Sequence, residues 1–224
     1  MSIPLFQDWL SLFALLGKAA KGIYDWAEGA LSKTKDLKEK RAVYMLRNAA
    51  TLVAALRTMH NSVKTLLGRV SLLYPDTPVD QRMELMHEIS DFARRDFIIG
   101  FIRQSEKELR DLLDKEGDLE DIHRTFLKNL LKCAGSTLRA AHDPYGSPFK
   151  NIAALEKFLQ RIKEANLVQD IDNLKKEAAE AIEAFRSQIL VDADDAYAAL
   201  KSDLLRRYPS ISDPGWAVTL EELK

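Results

Sequence analysis

Cysteine is almost missing from this chain. Cys133 is the single one, so no internal disulfide can form and no paired-cysteine metal or redox motif exists; a lone thiol suits a reducing compartment. Glycine and proline are scarce too, at 9 and 7 of 224 residues, and β-branched runs are few, which favours helix over sheet. The longest apolar runs, Leu12 to Leu16 and Phe97 to Ile102, fall far short of the roughly 20 residues that span a bilayer. No lysine or arginine precedes Lys18, and Asp8 interrupts the first apolar stretch, so the N-terminus does not read as a secretory signal. A net charge of -1 provides no global attraction to polyanions. Walker A and G-x-G-x-x-G loops, which cradle phosphates, are absent. These absences lead to the expectation of a cytoplasmic protein without a cofactor.

What is present is the material of a folded domain. A hydrophobic content of 46% and a charged content of 30% suit one soluble unit with a substantial core. No internal repeat or linker divides it. The expectation is one all-α bundle over residues 1–208, with an irregular tail over 209–224 that holds Pro209, Pro214 and Gly215.

Apolar spacing predicts about six helices. Over residues 5–30, Leu5, Trp9, Phe13, Leu16, Ala20, Ile23, Ala27 and Leu31 share one face at 100° per residue, opposite Lys18, Lys21, Asp25 and Glu28. A second helix is expected from Ser32 to Tyr74 on Met45, Leu52, Leu56, Met59, Val63, Leu66, Leu67 and Val70. It stops at Pro75-Asp76-Thr77-Pro78. A third is expected from Val79 to Glu116, apolar on every side near Phe97 to Ile102, where Gly100 suits a close helix approach or a bend. The fourth uses Leu119, Ile122, Phe126, Leu130, Ala134 and Leu138, and the fifth Ile152, Leu155, Leu159 and Ile162. The sixth, Gln169 to Tyr208, uses Ile171, Leu174, Ala178, Ile182, Phe185, Ile189, Tyr197, Leu200 and Leu204. Three helices near 40 residues reach roughly 60 Å each, against a radius of gyration of about 17 Å for a compact chain of this length. An elongated bundle follows.

Catalytic patterns are few and each has a simpler explanation. Glu84-Leu85-Met86-His87 and Glu120-Asp121-Ile122-His123 both fit E-x-x-H, which can hold two metal ions inside a four-helix bundle. They begin two consecutive antiparallel helices, which places them roughly 45 Å apart. With Ile122 facing the core, Glu120 points outward. Two exposed or rim histidines and no metal site are expected. Asp192-Ala193-Asp194-Asp195 follows the D-x-D-D order that some terpene cyclases use as an acid, but no second aspartate-rich motif accompanies it and a solvated helix face explains it. His142, Asp143 and Ser147 lie in a Pro/Gly turn without a G-x-S-x-G elbow. No catalytic residue is assigned, and the chain is expected not to be an enzyme.

Binding surfaces remain. The first helix offers Phe6, Trp9, Phe13, Leu16 and Trp26 as membrane or partner contacts, and Gly17, Ala19, Ala20 and Gly22 as a small-residue stripe for tight packing. A basic stretch follows, with Lys33, Lys35, Lys38, Lys40, Arg41 and Arg47 as its main patch. From Ser32 to Ser71 nine positive residues face only Asp36 and Glu39. An apolar-faced helix followed by a polybasic run can lie on an anionic membrane, although such a helix in a helical protein more often belongs to the core. Trp216 in the tail suits an anchor, to its own bundle before a partner. The leading expectation is a non-catalytic interaction protein, an adaptor, scaffold or accessory subunit, with a protein partner or a homo-oligomer. The alternatives are a membrane-active bundle of toxin or cell-death type and a nucleic-acid-associated subunit using the basic second helix; nucleic acid lacks a recognisable reading motif.

Overall fold

Long apolar stripes at spacings of three and four give the chain little option but helix. The computed structural model describes the backbone of residues 5–92, 96–115, 119–142 and 152–211, and the side chains of 14–65, 67–89, 100–114, 119–136 and 157–211. All regular structure among the described residues is helical: α1 (Leu5–Lys33), α2 (Leu37–Gly68), α3 (Val79–Phe92), α4 (Asp96–Lys115), α5 (Asp121–His142), α6 (Ile152–Glu164), α7 (Val168–Phe185) and α8 (Val191–Arg207). A 3-10 turn, Arg69–Leu72, extends α2, and a π turn, Arg186–Leu190, joins α7 to α8. Among the described residues the eight segments form seven helices, against an expected number of about six.

The central element is α2. Every residue from 48 to 60 is buried, including the polar Asn48, Thr51, Arg57, Thr58 and His60. Thr51 and Thr58 satisfy their hydroxyls on the carbonyls of Arg47 and Ala54, so a helix with polar residues on several faces can be enclosed at little cost. Helix α1 packs along α2 through Leu16, Ala19, Ala20, Ile23 and Ala27. The α7–α8 rod runs antiparallel to α2, as contacts from Tyr74–Lys175 through His60–Phe185 and Arg57–Asp194 to Glu39–Ser210 show.

Two cores divide the interior. The larger joins α1, the first two thirds of α2, α4, α5 and α8 around residues such as Leu46, Leu56, Ile102, Leu130 and Leu200. The smaller joins the last part of α2 (Val63, Leu67, Val70) to α3 (Leu85, Ile89), α6 (Phe158, Ile162) and α7 (Ile171, Leu174).

The expected third helix, Val79 to Glu116, is helical over α3 and α4; residues 93–95 between them, and Glu116, lie outside the described residues. Leu85 and Ile89 of α3 feed the smaller core, while Ile102 and Leu109 of α4 feed the larger. Gly100 serves no close approach, because a Cβ there meets nothing within 4 Å. The same holds for Gly17 and Gly22, so in the small-residue stripe only Ala19 and Ala20 pack inward.

Two register details also differ from expectation. Ile122 is 42% exposed, and His123 takes the inward position instead. In the last rod Leu190 is buried while Ile189 is only partly so. The π turn accounts for this: it adds a residue to one turn, so the inward series steps five from Phe185 to Leu190 before resuming at Ala193, Ala196 and Leu200.

Candidate functional site

Three arginines of the basic stretch turn to other helices, while its first lysines stay at the surface. Arg47 Nη2 donates to Glu108 of α4 at 2.6 Å, and its guanidinium stands 5.1 Å from the rings of both Tyr24 and Tyr44. Arg57 reaches Asp194 of α8 at 2.9 Å and is nearly enclosed. Arg69 pairs with Glu88 of α3. Of the expected patch, Lys33, Lys35 and Lys38 are exposed, and Lys40 and Arg41 are half-buried. Arg47, Arg57 and Arg69 thereby tie α2 and its 3-10 extension to three different helices.

The proposed contact residues on α1 divide in the same way. Leu16 is fully buried, which corrects its placement on a contact surface, and Trp26 is half-buried. Trp26 lines a cleft of about 250 Å³ with Lys33, Thr34, Glu39, Ser210 and Ile211. Thr34 and Ser210 both donate to the Glu39 carboxylate, which holds its pKa below the ordinary value. The side chains of Phe6, Trp9 and Phe13, and all of Trp216, lie outside the described residues, as do Asp143 and Ser147 of the Pro/Gly turn.

The two E-x-x-H matches do not meet. Glu84 and His87 are exposed on α3, whereas His123 is buried and its Nε2 lies 2.8 Å from Asp203 Oδ2. His87 is exposed as expected, but the burial of His123 corrects its expected place at the surface or rim. Arg206 and Arg207 also donate to Asp203, at 2.5 and 2.6 Å, and Arg207 bridges on to Glu120. Burial pushes the Asp203 carboxyl up, but the hydrogen bonds from Arg206, His123 and Arg207 outweigh it and hold the pKa below the ordinary value. A carboxylate accepting these three donors is a tie between α5 and α8. Among the described residues no group of three or more His, Cys, Asp or Glu is placed to hold a metal ion.

Of the D-x-D-D residues, Asp194 is engaged by Arg57, while Asp192 and Asp195 line an open hollow of about 430 Å³ with Phe126, Asn129 and Lys132. A third hollow of about 380 Å³ lies where α1, α2 and α4 meet, between Tyr24, Asn48, Thr51, Gly100, Phe101, Gln104, Ser105 and Glu108.

A different feature was not anticipated from the sequence. Arg82 of α3 is buried and sends its guanidinium to carbonyls alone: Nε to Thr77 (2.9 Å), Nη2 to Tyr74 (3.1 Å) and Pro75 (2.9 Å), and Nη1 to Ala165 after α6. It thereby fastens the α2–α3 turn to the α6–α7 turn. Around that junction Leu72 (56%), Tyr74 (59%), Val79 (60%), Leu167 (66%) and Val168 (63%) are exposed. These are five of the ten large apolar side chains exposed among the described residues, gathered at one end of the smaller core. Lys175 covers part of it, its Nζ 4.9 Å from the Tyr74 ring centre. The available signal was modest: apolar residues next to helix ends, where the inward period stops.

Comparison with family models, curated proteins and solved structures gives no match to this chain. Among the described residues no helix is long and apolar enough to cross a membrane.

Proposed function

We propose that this chain is a non-catalytic helical interaction protein, an adaptor or accessory subunit whose bundle presents the end formed by the α2–α3 and α6–α7 turns to a protein partner. The observation that supports this reading most is the exposure of Leu72, Tyr74, Val79, Leu167 and Val168 at the end where Arg82 ties the two turns. Scattered exposed apolar residues are ordinary, but a local concentration marks a contact surface. Each such side chain gains about 1.5–3 kcal/mol on full burial, so a partner covering several of them has enough driving force to stay. The internal use of Arg47, Arg57 and Arg69 in ion pairs, and of His123 in a hydrogen bond to Asp203, fits a scaffold better than a reaction centre.

The competing picture, a bundle that releases its first helix to lipid, requires Leu16, Ala19, Ile23 and Ala27 to leave the larger core. Leu16 and Ile23, both fully buried, make that release expensive at about 1.5–3 kcal/mol each. The test compares the full chain with Leu167→Asp/Val168→Asp. Light scattering gives the assembly state, affinity capture gives the bound proteins, and flotation with anionic vesicles gives lipid binding. The reading expects at least one protein held by the wild type and lost by the variant. A strict monomer that holds no protein, or flotation with vesicles instead, would overturn it.

A further inference from the structure

We infer that the partner seated on this end of the bundle is an amphipathic helix with an apolar face and basic flanks. The inference rests on the interaction reading above and adds the chemistry of what is bound. Within four residues of the five exposed apolar side chains, the exposed charged groups include five carboxylates, Asp76, Asp80, Glu164, Asp170 and Asp172. Opposing them are Lys163 and the half-buried Lys175, which is drawn over the Tyr74 ring. The two arginines in the same stretches do not offset this acidity outward. Arg69 is paired with Glu88, and Arg82 is buried against four carbonyls.

An apolar centre with an acidic rim selects its occupant by charge. A second copy docked symmetrically would place carboxylate rim against carboxylate rim, which is repulsive. An anionic membrane is repelled for the same reason. The chain's own first residues, 1–17, contain no lysine or arginine and one aspartate, Asp8, so they do not complement the rim. A helix with leucine-type residues on one face and lysine or arginine beside it satisfies both features. The apolar face supplies affinity, and the basic flanks supply orientation and rate. The surface is also fixed before binding, because Arg82 holds its two turns together, so little ordering cost opposes docking.

Two synthetic helical peptides of four turns test this against the full chain by fluorescence anisotropy. They share a leucine face and differ only in having lysine or glutamate on the flanks. The lysine peptide is expected to bind at least about tenfold more tightly than the glutamate peptide, with the difference shrinking as salt is raised. Leu167→Asp/Val168→Asp should lose about tenfold or more for the lysine peptide. Asp76→Lys/Asp80→Lys should reverse the preference. Val191→Asp, at an exposed apolar residue of α8 away from this end, should leave binding unchanged. Equal binding of the two peptides, or an equal loss in Val191→Asp, overturns the inference. So does self-association or anionic-vesicle binding that disappears only in the end variants. If the double aspartate variant does not fold by circular dichroism, the exposed-carboxylate reversal decides alone. A captured protein whose binding ignores both end variants refutes this surface while leaving the interaction reading intact; a chain that captures nothing refutes the broader reading.

Discussion

Nε2 of His123 lies 2.8 Å from Oδ2 of Asp203, and this one contact joins the first turn of α5 to the last part of α8. Asp203 also accepts from Arg206 and Arg207, so it is the hub and His123 one spoke. Asp203→Ala should therefore cost on the order of 3 kcal/mol, because it strands a buried ring donor, and His123→Ala about 1–3 kcal/mol. Urea unfolding near neutral pH measures both, and the double variant should cost less than the sum. Because the Asp203 pKa is lowered in the fold, its stabilisation is fully present above the ordinary value of 3.8 and is lost as pH falls through the lowered one. Additive effects of the two substitutions would show that the pair does not couple the helices.

Arg82 is the second structural tie, and it carries a charge without a carboxylate partner among its described contacts. Its four carbonyl acceptors come from Tyr74, Pro75, Thr77 and Ala165. Arg82→Met keeps the apolar stem and removes the donors, leaving partly buried carbonyls unsatisfied at a cost of about 3 kcal/mol. Arg82→Lys should recover only a minor part, since a compact ammonium cannot span the fork that reaches two turns. Amide exchange should accelerate in residues 72–79 and 165–168 before the rest of the chain. Uniform acceleration throughout the molecule would mean that Arg82 supports the whole core rather than this end.

Arg82 and His123 also mark the boundary of what the sequence discloses. The all-helical class was legible because apolar residues recur at three and four over most of the chain, and the face of α1 holding Leu16, Ala20, Ile23 and Ala27 followed directly. That α3 enters the smaller core and α4 the larger was not legible, since both keep the same helical periodicity. His123 was misplaced because Ile122 is the more apolar neighbour; only Asp203, 80 residues away, makes the inward position favourable for a histidine. The inward pairing of Arg47, Arg57 and Arg69 was hidden because Glu108, Asp194 and Glu88 are remote in sequence from them.

His60 predicts a pH dependence of the opposite origin. Its ring is buried in α2, stacked 6.0 Å from Phe185, with Nε2 lacking a hydrogen-bond partner. Burial lowers its pKa first, the charges of Lys64 and Arg186 push the same way, and Asn61 and Glu183 oppose them. The unfolded chain accepts a proton at about 6.5 while the folded chain resists it, so stability should fall as pH drops below 6.5 and level off beneath the folded value. Urea midpoints across that range should flatten in His60→Leu, which fills the same space without a titrating group. An unchanged slope in that variant would assign the effect elsewhere.

Three helical glycines offer a gain in stability. Gly17 and Gly22 of α1 and Gly100 of α4 have helical backbones, and a Cβ on any of them meets nothing within 4 Å. Alanine should therefore stabilise each helix by up to about 1 kcal/mol without a steric penalty. Thermal unfolding of the three single variants checks this, and gains at Gly17 and Gly100 should add because the sites lie on different helices. Gly100 borders the hollow beside Tyr24 and Phe101, so a loss of stability there would indicate that α4 needs glycine for a bend.

Cys133 reports on whether the larger core opens. The thiol is buried on α5, and burial, reinforced by the charge of Asp192, raises its pKa to about 11. The thiolate is the reactive form, and almost none exists near neutrality in this setting. A disulfide reagent at mildly alkaline pH should therefore leave the folded protein almost unlabelled and react at once in denaturant. The residual rate under native conditions then measures how often α5 separates from α8 and α2. Asp203→Ala should raise that rate by weakening the α5–α8 tie, while Arg82→Met, which loosens the other core, should leave it nearly unchanged. Rapid labelling of the wild type would show instead that α5 is not held in the core as its buried neighbours Leu130 and Ala134 require.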